Sequence, residues 1–364
     1  MKKQLSILAS ALVLTSSAVY ADSKNVDEAF KNGKVSGDIS IHNQSWDNGA
    51  GNKDAGFTAG TIGVNYSSDS VNGISANAGF RAGHKFGEKE DNDYKGDFEQ
   101  NSVMNVANIS FANDIVSVTA GRQEIDLEWL GDFNEAIVVA TTAIPSTTLV
   151  AGYTSRQAAV GGDELKKFAD VTKDGAYVVD AKYEGIENSV LNPYFYSAKD
   201  VADFYGIKAD YNNDAFGVTA HYATSNEKVA NAKDGSIMHF EARASVAGFD
   251  FAAGYIDTDK DAGVASISAF GDNIDPTEEL GDYVYAANTS TIYASAAYTI
   301  ADVELSALYA QAENDTTNKD DSELTVGAAY GITDSLSADV MYTDLSLDSD
   351  VDKSKLVANL TFEF

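Results

Sequence analysis

The chain has 364 residues, no cysteine and a formal net charge of −31 at pH 7. The large excess of acidic over basic residues excludes a nucleic-acid-binding protein, because phosphate groups require a basic surface. Disulfides are excluded as a source of stability, so hydrogen-bonded sheet is the expected source.

The first residues have the features of a secretory signal peptide. Two lysines precede an apolar run from Leu5 to Leu14, and a small-residue cleavage site ends at Ala21. We therefore expect residues 1–21 to be removed and residues 22–364 to form one mature domain. No later stretch approaches the ~18 consecutive apolar residues that a membrane helix requires. A membrane-spanning form of this protein would therefore be a β-barrel.

Beyond this peptide, apolar and polar residues alternate in one segment after another, which is the pattern of strands with one apolar and one polar face. The apolar faces commonly end in Tyr or Phe, as expected for aromatic girdles at the lipid–water boundary. Pro193 lacks a ladder donor and is expected at a strand start or a bulge. The segments cover residues 35–41, 62–66, 74–80, 107–111, 116–120, 149–153, 177–183, 193–196, 205–211, 216–222, 238–244, 249–255, 292–298, 303–309, 324–330, 336–342 and 355–364.

These 17 segments leave one strand missing, because bacterial single-chain barrels have an even number. The alternation of short turns and long loops fails only between Arg122 and Arg156. It is restored if Glu135 to Thr142 is a further strand, followed by a short turn. The sequence thus predicts an all-β fold, a transmembrane antiparallel barrel of 18 strands with 16 as the alternative, and long loops at one end. A large soluble β-sandwich is the competing interpretation.

The loop between the fifth and sixth strands is the candidate constriction of the channel. It contains Leu127, Trp129, Leu130 and Phe133, whose exposure to water would be costly. Folding inward against the barrel wall would bury these side chains and present acidic groups to the lumen. The alternative is a loop that lies over a neighbouring barrel. The candidate constriction residues are Arg122, Glu124, Asp126, Glu128 and Asp132.

An 18-stranded barrel leaves an aqueous lumen, and charges on the polar faces of its strands should line that lumen. A charge on the lipid face near the midplane would cost about 2–4 kcal/mol. Arg122 falls in the outward series, so it must lie above the apolar band or follow a bulge at Gly121. The predicted basic wall residues are Arg81, Arg156, Lys182, Lys208 and Arg243, and the acidic ones include Asp180, Asp210 and Glu241. Acidic groups outnumber basic ones, which favours a mild preference for cations.

Enzymatic function has little support in the sequence. The four histidines, His42, His84, His221 and His239, have no spacing typical of metal ligands. No glycine-rich pattern typical of a nucleotide site follows a strand and opens a helix. We therefore expect no catalytic residue, no metal site and no cofactor.

The segments Gly121-Arg122-Gln123-Glu124 and Asn134-Glu135-Ala136, the opening 30–38 and the terminal Phe364 resemble those of OprD-like outer-membrane porins. The resemblance implies an 18-stranded channel with an infolded third loop and a row of basic residues along its wall. Members pass small hydrophilic nutrients, in some cases basic amino acids or carboxylates. It also implies a bacterial outer-membrane location, contact with lipid and lipopolysaccharide, and a possible homotrimer. The scarcity of arginine departs from the family pattern.

The last strand is expected to close the barrel. Leu356, Leu360, Phe362 and Phe364 would face lipid, and the strand would pair with the first one, around residues 35–41. The resemblance implies that Phe364 is part of the signal read by the barrel-assembly machinery.

The expected function is passive diffusion of small hydrophilic solutes and ions across the outer membrane. One alternative is a structural or adhesive surface barrel with little transport role. The other is a secreted soluble β protein.

Overall fold

The computed structural model describes residues 23–264, 270–271, 273–348 and 350–364. The expected signal peptide, residues 1–21, lies outside these ranges. Within them, no helix is both long enough and apolar enough to cross a membrane.

Eighteen antiparallel strands form one closed barrel. Each pairs with its sequence neighbours, and β1 also pairs with β18 from Asp38–Glu363 to Asp47–Ser354. The predicted strand number, antiparallel order and closure are confirmed. The strands are β1 (Lys34–Asp47), β2 (Ala55–Ser67), β3 (Ile74–Glu88), β4 (Ser102–Ala112), β5 (Val116–Glu124), β6 (Phe133–Thr141), β7 (Thr147–Ala158), β8 (Ala176–Ile186), β9 (Ser189–Ala198), β10 (Ala202–Asn212), β11 (Phe216–Glu227), β12 (Ser236–Val246), β13 (Phe249–Thr258), β14 (Thr289–Ile300), β15 (Val303–Asn314), β16 (Lys319–Thr333), β17 (Leu336–Leu347) and β18 (Lys353–Glu363).

Few other elements are present in the described part of the chain. Helix α1 (Val26–Lys31) precedes the barrel, helix α2 (Asp93–Asp97) lies between β3 and β4, and a 3-10 turn covers Gly281–Tyr283. A two-residue strand, Ala169–Asp170, pairs with the end of β7. The side chain of Asn25 caps α1 by accepting a hydrogen bond from the N–H of Glu28 at 2.9 Å.

Exposure alternates along the strands as the sequence pattern predicts. In β10, Phe204 is fully buried inside the barrel while Tyr205 and Ile207 are exposed on its outer surface. The same outward position is taken by Ile109 and Phe362 in distant strands. An outer surface of this kind, with exposed apolar and aromatic side chains on most strands, is suited to lipid.

The two ends of the barrel differ. The turn end has connections of two to six residues, and Ala301 and Asp302 make one such turn with positive φ values of 47° and 66°, which matches the twist of a tight hairpin. The loop end carries every long connection, as predicted. The alternating pattern of the sequence also predicts a long loop from Ala312 to Ser322, but β15 and β16 extend until only residues 315–318 separate them.

Pro193 lies within β9, close to a register shift between Ser189 and Leu191. The prediction of a bulge at this proline is therefore nearly correct in position. The missing N–H is compensated locally, because the side-chain amide of Asn192 donates to the Ala181 carbonyl at 3.0 Å. Asn192 also donates to Asp180 at 2.7 Å, which joins the two strands inside the barrel.

Gly37 should be essential for closing the barrel. Its N–H and carbonyl both pair with Phe364 at 3.0 Å. A Cβ there would lie 2.1 Å from the Gly63 carbonyl oxygen and 2.8 Å from the Phe364 ring. We predict that Gly37→Val sharply lowers the fraction of heat-modifiable barrel seen in detergent gels.

The matched control for this prediction is Gly87→Val, because a Cβ at Gly87 meets no atom within 4 Å. This variant should fold like the unmodified chain. Equal folding of the two variants would contradict the importance of the β1–β18 seam.

Candidate functional site: the narrowed lumen

The third loop, residues 125–132, folds into the barrel, as predicted. Trp129 is only 1% exposed, and Leu127 and Leu130 are also buried. The Trp129 indole N–H donates to the Tyr194 hydroxyl of β9 at 2.8 Å, and its ring packs edge-on against Phe204 at 5.0 Å. Tyr194 and Phe204 point inward, so the loop lies against the inner wall and not over a neighbouring barrel.

Glu128 does not face the open lumen, in contrast to the expectation. It is 6% exposed and lies between the loop and the wall, with Lys208 Nζ 3.2 Å from its carboxylate and His221 Nδ1 3.5 Å away. A buried carboxylate requires such compensation. Glu124, Asp126 and Asp132 remain exposed.

The seventh loop is the connection 259–288, and residues from its described part (259–264, 270–271 and 273–288) also lie inside the barrel, which the sequence reasoning missed. Its Tyr285 packs against Trp129 with ring centres 6.1 Å apart, and Ile274 and Leu280 are buried in the same cluster. Backbone contacts join the two loops, since the Gly131 N–H donates to the Phe270 carbonyl at 3.0 Å. Together they cover the inner wall with an apolar core.

A second cluster is formed by the second loop (residues 89–101) and the fourth loop (residues 159–175). Phe98 and Leu165 pack with Phe57 of β2. The Leu165 N–H donates to the Asp97 carbonyl at 2.9 Å and its own carbonyl accepts from the Gln100 N–H at 3.2 Å. Gly162 of the fourth loop reaches Ser40 on the inner face of β1.

Carboxylates of three loops approach one another beside these clusters. Desolvation by the surrounding loops raises the pKa of both Asp132, whose side chain is still partly open to water, and Glu164, and the charge of Asp163 raises both further. The pKa of Glu164 is raised to about 7. Lys166 is the nearby cation, 3.3 Å from Asp97 and 3.9 Å from Glu164. Asp97, Asp163 and Glu164 were not identified from the sequence.

Four of the five basic wall residues, Arg81, Arg156, Lys208 and Arg243, are ion-paired. Arg81 forms a two-pronged pair with Asp38. Arg243 contacts Glu241, and its Nη2 lies 3.7 Å from Asp210. Lys208 pairs with the third loop as described above. Lys182 of β8 is half-buried and lies near enough to Asp180 to stabilise that carboxylate.

Arg122 and Arg156 share one carboxylate, that of Glu135. Arg122 Nη2 lies 2.7 Å from it and Arg156 Nη1 lies 3.3 Å from it. Pairing between β4 and β5 ends at Ala107–Arg122, and Arg122 then donates to the free Met104 carbonyl at 2.7 Å. The Arg122 side chain therefore links β4 and β5 at the loop end, where their backbone pairing stops.

Arg156 was predicted to face the lumen because alternation along β7 was assumed to be unbroken. The alternation is broken before Arg156, which moves this residue to the other face of the strand. The register of β6 and β7 shifts by one residue between Glu135 and Ala136, so that Arg156 opposes Glu135 and Thr154 opposes Ala136. A shift of one residue exchanges the faces of a strand. The neighbouring Gln157 contacts the inward loops, donating to the Gly131 carbonyl at 2.8 Å.

The acidic wall residues are bound to other wall groups. Asp180 is buried and accepts from Asn192 and from the Tyr196 hydroxyl, the latter at 3.1 Å. Asp210 accepts from the Thr219 hydroxyl, and Glu241 accepts from the Tyr293 hydroxyl. These carboxylates thus stabilise the wall.

Comparison with known proteins identifies the family. A family model described as Gram-negative porin matches residues 8–350. The chain belongs to the Gram-negative porin family. The porin is therefore an outer-membrane channel through which small solutes diffuse.

Two of its histidines are hydrogen-bonded to tyrosines of the inner wall, in the His221–Tyr194 and His239–Tyr293 pairs, both 2.8 Å.

Solved structures share the fold of this porin at low sequence identity. OpdO of Pseudomonas aeruginosa has a TM-score of 0.79 and 10% identity, covering 93% of this chain and 98% of its own. OccAB1 of Acinetobacter baumannii has a TM-score of 0.77 and 12% identity, and the match covers 95% of this chain and 99% of OccAB1. OpdK of Pseudomonas aeruginosa, solved with vanillate, has a TM-score of 0.75 and 13% identity, and the match covers 91% of this chain and 98% of OpdK. No curated protein matches the sequence. The resemblance to OprD-like porins is thus confirmed in fold.

The loops that the sequence reasoning missed did carry a detectable signal. Tyr94, Phe98, Leu165 and Phe168 lie in connections that are otherwise acidic and polar, and all four are buried. Large apolar side chains in an outer loop are costly to expose to water, and this argument, which predicted the burial of Trp129, applies equally to these four residues.

Glu164 should make the ion preference of the porin depend on pH. With a pKa raised to about 7, this group is ionised at alkaline pH and largely neutral in mild acid. We predict that the cation-to-anion permeability ratio, obtained from the reversal potential in a KCl gradient, falls as the pH is lowered from 8.5 to 5.5. Glu164→Gln should remove most of that change.

The control for this pH prediction is His84→Gln, introduced in both backgrounds, which separates the contribution of the exposed His84 side chain from that of Glu164. A pH dependence that is unaltered in Glu164→Gln would contradict the role of this carboxylate.

Proposed function

We propose that this porin is a cation-preferring diffusion channel whose preference is set by the acidic loops and not by the wall. The observation that carries the proposal is that all four arginines of the chain have carboxylate partners. Arg81 pairs with Asp38, Arg243 with Glu241, and Arg122 with Glu135. Arg156 shares Glu135 and also lies 3.7 Å from Asp170, so each arginine has a carboxylate to balance its charge. A paired arginine adds little net positive field for an anion to follow.

Exposed acidic side chains occur on the inward loops. Asp126 and Asp132 on the third loop and Asp163 on the fourth are all exposed. A carboxylate about 4 Å from a permeating ion contributes about 1 kcal/mol in water. This corresponds to roughly a fivefold enrichment of cations near each such carboxylate.

The same charge pattern bears on the organic solutes. OpdK was solved with vanillate, an aromatic carboxylate. In this chain the wall arginines and Lys208, which could attract a carboxylate, are committed to ion pairs. Small neutral solutes and cationic ones such as basic amino acids are therefore the better candidates, and a liposome-swelling panel of lysine, neutral sugars and vanillate ranks them.

Neutralising the exposed loop acids should weaken the cation preference. In planar bilayers with a KCl gradient, we expect a reversal potential of cationic sign. Replacing Asp132 and Asp163 by Asn should lower the cation-to-anion permeability ratio by up to about 25-fold, because each nearby charge contributes about 1 kcal/mol, or about fivefold.

The matched control is Asp114→Asn, which removes an equal charge in the turn between β4 and β5, at the other end of the barrel. It should change the ratio much less. An anion-selective reversal potential in the unmodified porin would refute the proposal.

We propose that residues 1–21 are a cleaved signal peptide and that Phe364 is the assembly signal. Phe364 completes the seam through Gly37, and its ring is exposed and stacks on Phe362 at 6.4 Å. Deleting Phe364 should reduce the amount of porin in the outer membrane far more than the conductance of each channel that does assemble. Normal surface levels of the deletion variant would contradict this role.

Contacts with lipopolysaccharide and a homotrimer belong to the same proposal. The exposed apolar side chains on the outer wall, such as Ile109 and Phe362, are suited to lipid or to a second barrel. Cross-linking in native outer membranes distinguishes a trimer from a monomer.

A further inference from the structure

The seventh loop is attached to the wall by an unusual contact at Glu323 of β16. This side chain is 0% exposed. Its carboxylate accepts hydrogen bonds from the backbone N–H groups of Glu278, Glu279 and Leu280 at 2.9, 2.8 and 3.1 Å. The Thr325 hydroxyl donates a further bond at 2.9 Å. Charge-assisted bonds of this kind are stronger than neutral ones.

The charge distribution shows that this contact is not an ordinary ion pair. Two of the three residues whose N–H groups bind Glu323 are themselves glutamates, and like charges repel. The Glu279 carboxylate is held instead by Lys355 of β18 at 2.6 Å, and Lys355 also lies 5.0 Å from the centre of the Trp46 ring. The segment is therefore attached through its backbone at one strand and through a side chain at another.

The far end of the joined loops is attached to β7. The Gln157 amide donates to the Phe270 carbonyl at 2.7 Å and to the Gly131 carbonyl at 2.8 Å. The Asn273 amide donates to the Leu127 carbonyl at 3.3 Å. The third and seventh loops thus form one connected bridge. β7 and β16 are nine strands apart in a ring of 18, so the bridge joins opposite walls of the barrel.

We propose that Glu323 is a positioning residue that holds this bridge across the lumen and thereby sets the size of the pore. Loss of its carboxylate releases the segment 278–280 from the wall, and the seventh loop then withdraws toward β13 and β14. The third loop keeps its own anchors at Tyr194 and Lys208, so the barrel stays folded while the opening widens. The inference goes beyond the cation preference, because pore size is a property that neutral solutes measure.

The test compares Glu323→Ala and Glu323→Gln with the unmodified porin in planar bilayers. The measurements are single-channel conductance, open-channel current noise, and the largest polyethylene glycol that still enters the pore. We expect both variants to show higher conductance, more noise and a larger size limit. Lys355→Met, which removes the partner of Glu279, should shift the same quantities in the same direction by less.

Glu304→Gln is the matched control, since Glu304 lies on β15 near the turn end and its replacement removes the same charge as Glu323→Gln. It should leave the size limit unchanged. The inference is overturned if heat-modifiable, folded Glu323 variants keep the unmodified size limit and conductance, or if their conductance falls. The reversal potential is measured in the same bilayers. A result against the proposed cation preference is therefore distinguished from a result against the role of Glu323 in pore size.

Discussion

The requirement that every backbone N–H and carbonyl in the membrane find a partner within the protein governs this structure. Lipid offers no hydrogen bonds, so a sheet that crosses it must close on itself. Here the closure is made between β1 and β18 and continues to the last residue, where Gly37 and Phe364 exchange backbone bonds. The alternation of outward apolar and inward polar residues, the short turns and the even strand number all follow from that closure.

Closure at 18 strands creates a second problem, because a barrel of this width cannot be filled by the side chains of its wall. The loops solve it. Trp129, Tyr285 and Leu280 from two loops pack with inner-wall aromatic residues into one core, and a second core forms around Phe98 and Leu165. Burial of apolar side chains therefore stabilises the barrel from inside and narrows the lumen at once.

Much of the fold could be predicted from the sequence, because a period of two reports the two environments of a strand directly. The missing strand at Phe133–Thr141 was recovered from loop lengths alone. Local pattern does not report the register shift that exchanges the face of Arg156, since that depends on which residue of β6 it opposes. For the same reason it does not identify Glu323 as a partner of residues 43 to 45 positions earlier in the chain.

The candidate site shows the same limit. Sequence reasoning found the third loop, because its apolar residues stood out, but it assigned Glu128 to the lumen on the basis of charge. A carboxylate beside Trp129 is buried with it, and its cost is offset by Lys208. Lys208 thereby ceases to act as a free wall cation. One contact between loop and wall thus changes the expected role of two charges.

The pairing of wall charges has a consequence for how such a channel can vary. Each arginine contributes to joining strands or loops, as Arg122 does between β4, β5 and β6. Changing a wall charge therefore disturbs packing as well as the field. Loop acids such as Asp126 and Asp163 are exposed to water, so replacing them disturbs packing less than replacing a buried wall charge does. Under the proposed function, selectivity changes at these positions with little cost to stability, whereas the proposed role of Glu323 makes pore size depend on buried contacts that hold the loops in place.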